Sequence, residues 1–270
     1  MSEGENVASE TPEKHLDVRG LSITFGGLKA VRDVSFSANS GSVTAVIGPN
    51  GAGKSTLLNM ISGFLTPDSG TVVLKGEDIT KLSPWTRVAR GMSRTFQNLE
   101  VFEGLTVGEN VALGIPTPIG SSILGPLFRW KAYAAEQQMV KTKARALLER
   151  VGLRDRADEL AKNLSYGDQK LLIIARLLAT ECDLLLFDEP GAGLPREEIE
   201  SIGRIFTSLA DSGKTVLLVD HNMRLIFGYS DYVYVLHHGE LVAQGTSKEV
   251  QNHPEVIEIY LTGGGTGKAA

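Results

Sequence analysis

The sequence predicts an α/β fold whose central sheet is mostly parallel. Residues 43–47, 183–188 and 215–219 form short apolar runs, a pattern typical of strands that are buried on both faces. After each of the first two runs, apolar side chains recur at helical spacing; Ile199 and Phe206 lie on one face of the second predicted helix. Strands that alternate with helices in this way favour a parallel sheet covered by helices.

Other regions of the chain differ from this alternating pattern. Apolar positions alternate over residues 16–25 and 31–37, which predicts half-buried antiparallel strands near the start. Residues 232–236 and 240–243 are typical of a hairpin. From about residue 98 to residue 179 the pattern is mostly helical, which predicts a helical subdomain. We also expect a disordered acidic leader over residues 1–15 and a flexible glycine-rich tail over residues 263–270.

Composition excludes several classes of protein. The 270 residues include 27 basic and 32 acidic side chains, and the net charge of −5 argues against a nucleic-acid partner. The single cysteine, Cys182, cannot form an internal disulfide, so we expect a reducing compartment. Free cysteine behaves as a small hydrophobic residue, so we expect Cys182 to be buried. The longest apolar stretch, residues 171–179, is shorter than the roughly 20 residues that cross a bilayer, so we expect no membrane-spanning helix.

The strongest motif follows the first apolar run and matches G-x-x-x-x-G-K-S/T, the pattern of a phosphate-binding loop between a strand and a helix. It consists of Gly48, Pro49, Asn50, Gly51, Ala52, Gly53, Lys54 and Ser55, and Thr56 follows it. Backbone N–H groups in such a loop face the phosphates, Lys54 can reach the β- and γ-phosphates, and Ser55 can ligate Mg²⁺. An ordinary glycine turn is the alternative, and the flanking strand and helix disfavour it.

Two carboxylates follow the second apolar run. Asp188 and Glu189 come at the carboxyl end of a predicted strand, where ligands gather in open α/β sheets. Asp188 is suited to the shell of Mg²⁺, and Glu189 can take a proton from an attacking water. The alternative is a solvated acidic loop, which is disfavoured by the phosphate-binding loop upstream.

The order of these motifs resembles that of the ATP-binding cassette (ABC) ATPases. Residues 164–169 (LSYGDQ) resemble the signature motif of this family, and residues 192–195 resemble its D-loop. Gln97 resembles the glutamine of the Q-loop, His221 resembles the switch histidine, and Phe25 resembles the aromatic residue that stacks on adenine. The resemblance covers residues 16–262, and the motifs come in the order of the family.

This resemblance implies a fold and a set of site residues. The fold is that of a P-loop NTPase, with a RecA-like core and antiparallel β subdomain in about residues 16–97 and 180–252 and a helical subdomain in about residues 98–179. ATP and Mg²⁺ are the implied cofactors. Phe25 is expected to stack on the adenine, Gln97 to touch Mg²⁺ or the attacking water, and His221 to donate to the γ-phosphate.

The resemblance also implies that two chains share each ATP. Ser165 and Gly167 are expected to face the γ-phosphate held by the phosphate-binding loop of a second ABC ATPase subunit. The chain departs from the common family pattern at Tyr166 and Asp168 in the signature and at Pro195 in the D-loop. The proline removes a side-chain acceptor, and it fixes φ where a helix is predicted to begin.

Finer features are similar to the ATPases of bacterial branched-chain amino-acid importers. These are the signature segment, the LVDHNM segment at residues 218–223, the insertion at residues 115–130 and the carboxyl-terminal segment from His253 to Leu261. The similarity implies membrane permease subunits as partners, a periplasmic binding protein indirectly, and a peripheral position at the cytoplasmic face of the inner membrane. ATPases of importers for urea or short amides, and of a lipopolysaccharide exporter, have similar tails and remain alternatives.

Two alternatives come from other functional classes. A soluble ABC-type mechanochemical ATPase typically carries two cassettes or a long coiled coil, and this sequence has one cassette and no sustained heptads. A nucleotide-gated scaffold without turnover is disfavoured because all the expected catalytic residues are present. For Phe102, just after the Q-loop, the sequence leaves two roles open: an anchor for a membrane subunit, or a core side chain of the helical subdomain.

Overall fold

A six-stranded sheet and a four-stranded sheet organise the fold. The structure, a computed structural model, describes residues 13–95, 101–116 and 130–263, with the backbone alone for residues 130–133 and 261–263. The strands are β1 (Lys14–Phe25), β2 (Leu28–Asn39), β3 (Val43–Ile47), β4 (Ser69–Leu74), β5 (Glu77–Asp78), β6 (Met92–Arg94), β7 (Leu184–Asp188), β8 (Thr215–Val219), β9 (Tyr232–His237) and β10 (Glu240–Thr246).

The helices flank these strands. They are α1 (Lys54–Ser62), α2 (Pro84–Ala89), α3 (Val107–Ala112), α4 (Trp130–Arg150), α5 (Tyr166–Ala179), α6 (Arg196–Asp211), α7 (Met223–Tyr229), α8 (Ser247–Gln251) and α9 (Pro254–Gly263). Short 3₁₀ turns at Arg154–Arg156 and Ala161–Asn163 connect α4 to α5.

The larger sheet has the mostly parallel arrangement that the sequence predicts. Its strand order is β10-β9-β3-β8-β7-β6, and only the β9–β10 pair is antiparallel. All residues of β3, β7 and β8 are buried, as expected for strands covered on both faces. Because β3, β8 and β7 are parallel neighbours, the segments that follow them emerge at the same edge of the sheet.

The antiparallel sheet has four strands in the order β2-β1-β4-β5, and β1 and β2 are the two predicted amino-terminal strands. Its first strand begins at Lys14, so the predicted leader extends two residues too far. Lys14 pairs with Asn39, and His15 is only 5% exposed and hydrogen-bonds through Nδ1 to Thr215 Oγ1 at 2.6 Å. The sequence did not predict this start because acidic residues precede it and because Thr215, which contacts His15, lies 200 residues away.

The described parts of the middle of the chain, residues 101–116 and 130–179, are mostly helical, as predicted. Thr106 and Glu109 form a capping box at the start of α3, which packs against α4 and α5. Buried side chains of these helices, including Leu148 and Leu172, continue into the cluster that covers β3, β7 and β8. The helical region is therefore joined to the sheet by a continuous apolar core.

The structure also tests several smaller predictions about single residues and the ends of helices. Cys182 is buried, as predicted. Pro195 precedes the first helical residue of α6 instead of occupying it, and α9 extends to Gly263, one residue into the predicted tail. The rest of the leader and tail, Gln97 and most of the insertion lie outside the described residues. Within the described ranges, no helix combines the length and apolar character needed to cross a membrane.

We predict that His15 makes the fold sensitive to mild acid. Burial, and secondarily the charge of Lys75, lowers the pKa of the imidazole, and its Nε2 is buried without a hydrogen-bond partner in the described structure. Below the ordinary histidine pKa of about 6.5, the unfolded chain therefore takes up a proton more readily than the folded protein. The free energy of unfolding should fall as the pH drops from 7.5 to 5.

Urea unfolding of the wild type and of the His15→Asn variant across this pH range checks the prediction. The variant should lose part of the pH dependence, whereas a control substitution at the exposed His238 should not. An equal pH dependence in the wild type and the His15→Asn variant would show that His15 does not contribute.

Candidate nucleotide site

The predicted phosphate-binding loop lies between β3 and α1. Gly53 precedes the first residue of α1 and has φ 102°, a backbone conformation that side chains disfavour. A Cβ added to Gly48 would lie 2.1 Å from the carbonyl oxygen of Leu236, and one added to Gly53 would lie 2.5 Å from that of Ala30. The loop accepts no side chain at either glycine, because its backbone packs directly against β9 and β2.

Lys54 turns its side chain back into this loop. It is only 7% exposed, and its Nζ donates to the carbonyl oxygens of Gly48 at 2.7 Å and Pro49 at 3.0 Å. Burial lowers the pKa of the ammonium group, while nearby carboxylates, Glu189 foremost, act in the opposite direction. The loop carbonyls thus hold this cation next to the acidic residues of the neighbouring strands.

A cavity of about 380 Å³ opens beside the loop. The loop and the first turn of α1 line it with Asn50, Gly51, Gly53, Lys54, Ser55 and Thr56. The rest of the lining consists of Leu28, Lys29, Ala30, Arg32, His238 and Glu189. Ala52 is buried, and its carbonyl accepts a hydrogen bond from the Gly239 N–H at 3.0 Å, which fixes the β9–β10 turn against the loop.

Asp188 ends β7 and lies almost completely buried. Its Oδ2 accepts a hydrogen bond from Arg94 Nη2 at 2.8 Å, and its Oδ1 is buried without a hydrogen-bond partner among the described residues. A buried carboxylate oxygen left open in this way suits a hard cation such as Mg²⁺, which prefers oxygen ligands. Ser55 lines the cavity, and its hydroxyl oxygen is also suited to ligate such a cation.

Glu189 and His221 lie close together at the ends of neighbouring strands. The distance from Glu189 Oε1 to His221 Nδ1 is 3.8 Å, and the histidine is more exposed than the glutamate. The fully buried Asp220 organises this corner. It accepts hydrogen bonds from the backbone N–H groups of His221, Asn222 and Gly191 at 2.7 to 2.8 Å. The backbone on both sides of the glutamate–histidine pair is therefore held by one carboxylate.

The signature residues begin α5 and do not line the cavity of their own chain. Ser165 caps the helix by accepting from the Asp168 N–H at 3.1 Å, and its Oγ donates to the Asp168 carboxylate at 2.7 Å. Arg156 also donates to this carboxylate. Gly167 packs against α6, where a Cβ would lie 2.2 Å from a carboxylate oxygen of Glu198. Ser165 is exposed, and it does not line the cavity beside the phosphate-binding loop of its own chain.

Two residues expected from the sequence are not brought into the cavity by the described structure. Phe25 is 46% exposed at the end of β1 and is not part of the cavity lining, so its role at the adenine stays a prediction. Gln97 lies outside the described residues.

Sequence reasoning missed four residues that build this site. Asp220 directly precedes the predicted switch histidine at a strand end, a position that could have pointed to it. Arg94, Lys170 and His238 carried no comparable signal, because each one meets its partners only through contacts between distant parts of the chain.

Comparison with known proteins identifies the family. A family model described as ABC transporter matches residues 31–192, and one described as Branched-chain amino acid ATP-binding cassette transporter matches residues 240–261. The chain is 38% identical over 248 residues to the high-affinity branched-chain amino acid transport ATP-binding protein LivG of Salmonella typhimurium. It is 37% identical over 248 residues to BraF of Pseudomonas aeruginosa, which bears the same description. Each alignment covers 91% of this chain and 97% of the relative.

Solved structures agree with these relatives. A nucleotide-free ATP-binding cassette from an ABC transporter superposes with a TM-score of 0.79, and a cassette in its ADP conformation with a TM-score of 0.80. Both are 37% identical to this chain, and each match covers 92% of this chain and 98% of the other. A family model across the phosphate-binding loop and relatives along nine-tenths of the sequence lead to one conclusion: the chain belongs to the ABC transporter family and is an ABC-type ATPase.

Proposed function

We propose that this ATPase is the energy-coupling subunit of a membrane importer for branched-chain or other hydrophobic amino acids. The descriptions of LivG and BraF and the match over residues 240–261 support the cargo class. The proposed partners are a second ABC ATPase subunit, membrane permease subunits and, indirectly, a periplasmic binding protein. The proposed location is the cytoplasmic face of the inner membrane.

One observation carries the catalytic part of the proposal. Lys54 and Glu189 line a cavity of about 380 Å³, and Asp188 and His221 lie beside Glu189 at the ends of the same group of neighbouring parallel strands. Phosphoryl transfer depends mainly on positioning and on charge stabilisation, and this arrangement supplies both.

Each residue has a proposed step. Backbone N–H groups of the loop and the Lys54 ammonium bind the β- and γ-phosphates. Ser55 and Asp188, with Gln97, would hold Mg²⁺, which neutralises charge on the phosphate oxygens when bound. Glu189 accepts a proton from the attacking water at a carboxylate oxygen, and His221 donates a hydrogen bond to the γ-phosphate.

The signature residues are proposed to act on the ATP of the partner chain. Ser165 and Gly167 stand at the amino terminus of α5, where backbone N–H groups and the helix dipole favour an anion. They are absent from the lining of the cavity that contains Lys54, which is consistent with a site completed by a second chain.

The proposed contact with a membrane subunit lies beside Phe102. This side chain is 50% exposed, so the core role considered from the sequence is wrong. Asn110 holds the Phe102 backbone in place, with hydrogen bonds of 3.0 Å to its N–H and its carbonyl. A groove of about 420 Å³ next to the ring is lined in part by Leu113, Ile173 and Arg176, and the Arg176 guanidinium lies 5.5 Å from the ring centroid. A fixed but exposed aromatic ring beside a groove fits an anchor for a partner helix.

Replacing Glu189 with Gln tests the proposed chemistry. The variant keeps the size of the side chain but removes the proton acceptor, so ATP turnover should fall about 10²-fold to 10⁴-fold while ATP binding is retained. Steady-state phosphate release and binding of a fluorescent ATP analogue measure the two effects. The matched control is Glu197→Gln, an exposed position in α6, which should leave both unchanged. Turnover of Glu189→Gln at the wild-type rate would rule out the proposed base.

The Ser165→Arg variant tests whether the signature acts in trans. An arginine should block the face offered to the partner's ATP, so turnover should be abolished while the isolated chain still binds nucleotide with nearly wild-type affinity. Loss of the helix cap should cost about 1 kcal/mol, which thermal unfolding measures separately. If nucleotide affinity of the isolated chain falls together with turnover, Ser165 belongs to the site of its own chain.

The Phe102→Ala variant tests the proposed docking groove. Because the ring is half exposed, thermal stability and basal ATP turnover should change little, whereas copurification with the membrane subunits and transport should be strongly reduced. Ile257→Ala, which removes an exposed side chain on α9, is the control. Normal assembly and transport by Phe102→Ala would contradict the proposal and place the docking surface elsewhere.

A further inference from the structure

The backbone at Glu189 has an unusual conformation. Its φ is 51°, in the left-handed region that residues other than glycine rarely adopt. Such a conformation persists only where surrounding contacts enforce it, and it is frequent at functional sites. The contacts that hold this residue therefore determine the direction of the carboxylate.

One of these contacts comes from the next strand. The Glu189 N–H donates a hydrogen bond of 2.7 Å to the carbonyl oxygen of Val219, at the end of β8. This bond fixes the amide side of the residue to the strand that leads to His221.

The other side of the residue is held by Lys170. This lysine lies one turn into α5, is only 8% exposed, and donates from Nζ to the Glu189 carbonyl oxygen at 3.1 Å. A buried ammonium group is costly unless it is hydrogen-bonded, so this contact constrains the lysine as well as the peptide that it meets. The Ala192 N–H donates to the same carbonyl oxygen at 3.3 Å.

Tyr166 extends the contact to the turn that follows Glu189. Its ring centroid lies 5.5 Å from Lys170 Nζ, and its hydroxyl donates to the Ala192 carbonyl oxygen at 3.4 Å. A Cβ added to Gly193 would lie 3.3 Å from the tyrosine ring. The tyrosine that departs from the common signature pattern thus contacts both Lys170 and the D-loop of its own chain.

We propose that Lys170 is a positioning residue for ATP hydrolysis. By holding the Glu189 carbonyl oxygen, it keeps the residue in its left-handed conformation and directs the carboxylate toward the cavity. Because Lys170 and Ser165 belong to the same helical end, this bond also ties the signature, which faces the partner's ATP, to the proton acceptor of its own site. The inference rests on the proposed role of Glu189.

A purely structural lysine would behave differently from a positioning lysine. The Ala192 N–H also donates to the Glu189 carbonyl oxygen, so Lys170→Met leaves that buried acceptor with a partner and should not unfold the protein. If the lysine positions Glu189, the variant should lose about tenfold or more in kcat, with KM for ATP and nucleotide affinity within about twofold of wild type. Lys170→Arg, which keeps a donor, should recover part of the loss.

A double-mutant cycle with Glu189→Gln provides the decisive test. If Lys170 acts through Glu189, Lys170→Met should cause no further loss of turnover in the Glu189→Gln background. Lys162→Met, at an exposed position before α5, is the control and should leave kcat unchanged in both backgrounds.

The possible results separate the inference from the function on which it rests. Full turnover by Glu189→Gln alone would overturn the proposed base. A large effect of Glu189→Gln combined with wild-type kcat in Lys170→Met, or with losses that multiply in the double variant, would overturn only the role of Lys170. A Lys170→Met variant with lower thermal stability, weaker nucleotide binding and lower kcat together would also overturn it, because it would indicate a structural lysine.

Discussion

The parallel pairing of β3, β8 and β7 is the constraint on which the site depends. Parallel neighbours end at the same edge of the sheet, so the segments after these strands must emerge side by side. The phosphate-binding loop follows β3, Asp220 and His221 follow β8, and Asp188 and Glu189 lie at the end of β7. The complete burial of the three strands keeps this register, since any slip would expose apolar side chains or move a carboxylate into the core.

Charge is balanced in a small volume at this edge. Lys54 is held by loop carbonyls, Asp188 by Arg94, and Asp220 by three backbone N–H groups. Each buried ionic group has partners that fix its direction before nucleotide arrives, which is the preorganisation that phosphoryl transfer requires. The same principle applies to Glu189, whose backbone is held by the Val219 carbonyl oxygen of β8 and by the Lys170 side chain of α5.

Much of the fold and the linear motifs could be predicted from the sequence because they depend on local pattern. Strands buried on both faces leave uninterrupted apolar runs. Gly48 and Gly53 are required in the loop because an added Cβ would clash with the carbonyl oxygens of Leu236 and Ala30. Features set by long-range contacts could not be predicted. His15 follows an acidic segment, and its partner Thr215 is 200 residues away in the sequence. Lys170 has the pattern of an ordinary helical lysine, and only the folded chain brings its Nζ to the carbonyl oxygen of Glu189, just after β7. The half-exposed Phe102 could equally have been core, because its surroundings come from α3 and α5.

The central claim is that residues from one sheet edge form one half of an ATP site, which the signature of a second chain completes. The structure of the Glu189→Gln protein trapped with ATP and Mg²⁺ tests it most directly. The account predicts two chains with each γ-phosphate between Lys54 of one protomer and Ser165 of its partner, and with the side chain at position 189 directed at the γ-phosphate. ATP bound within a single chain, or a γ-phosphate remote from both Ser165 and position 189, would contradict it.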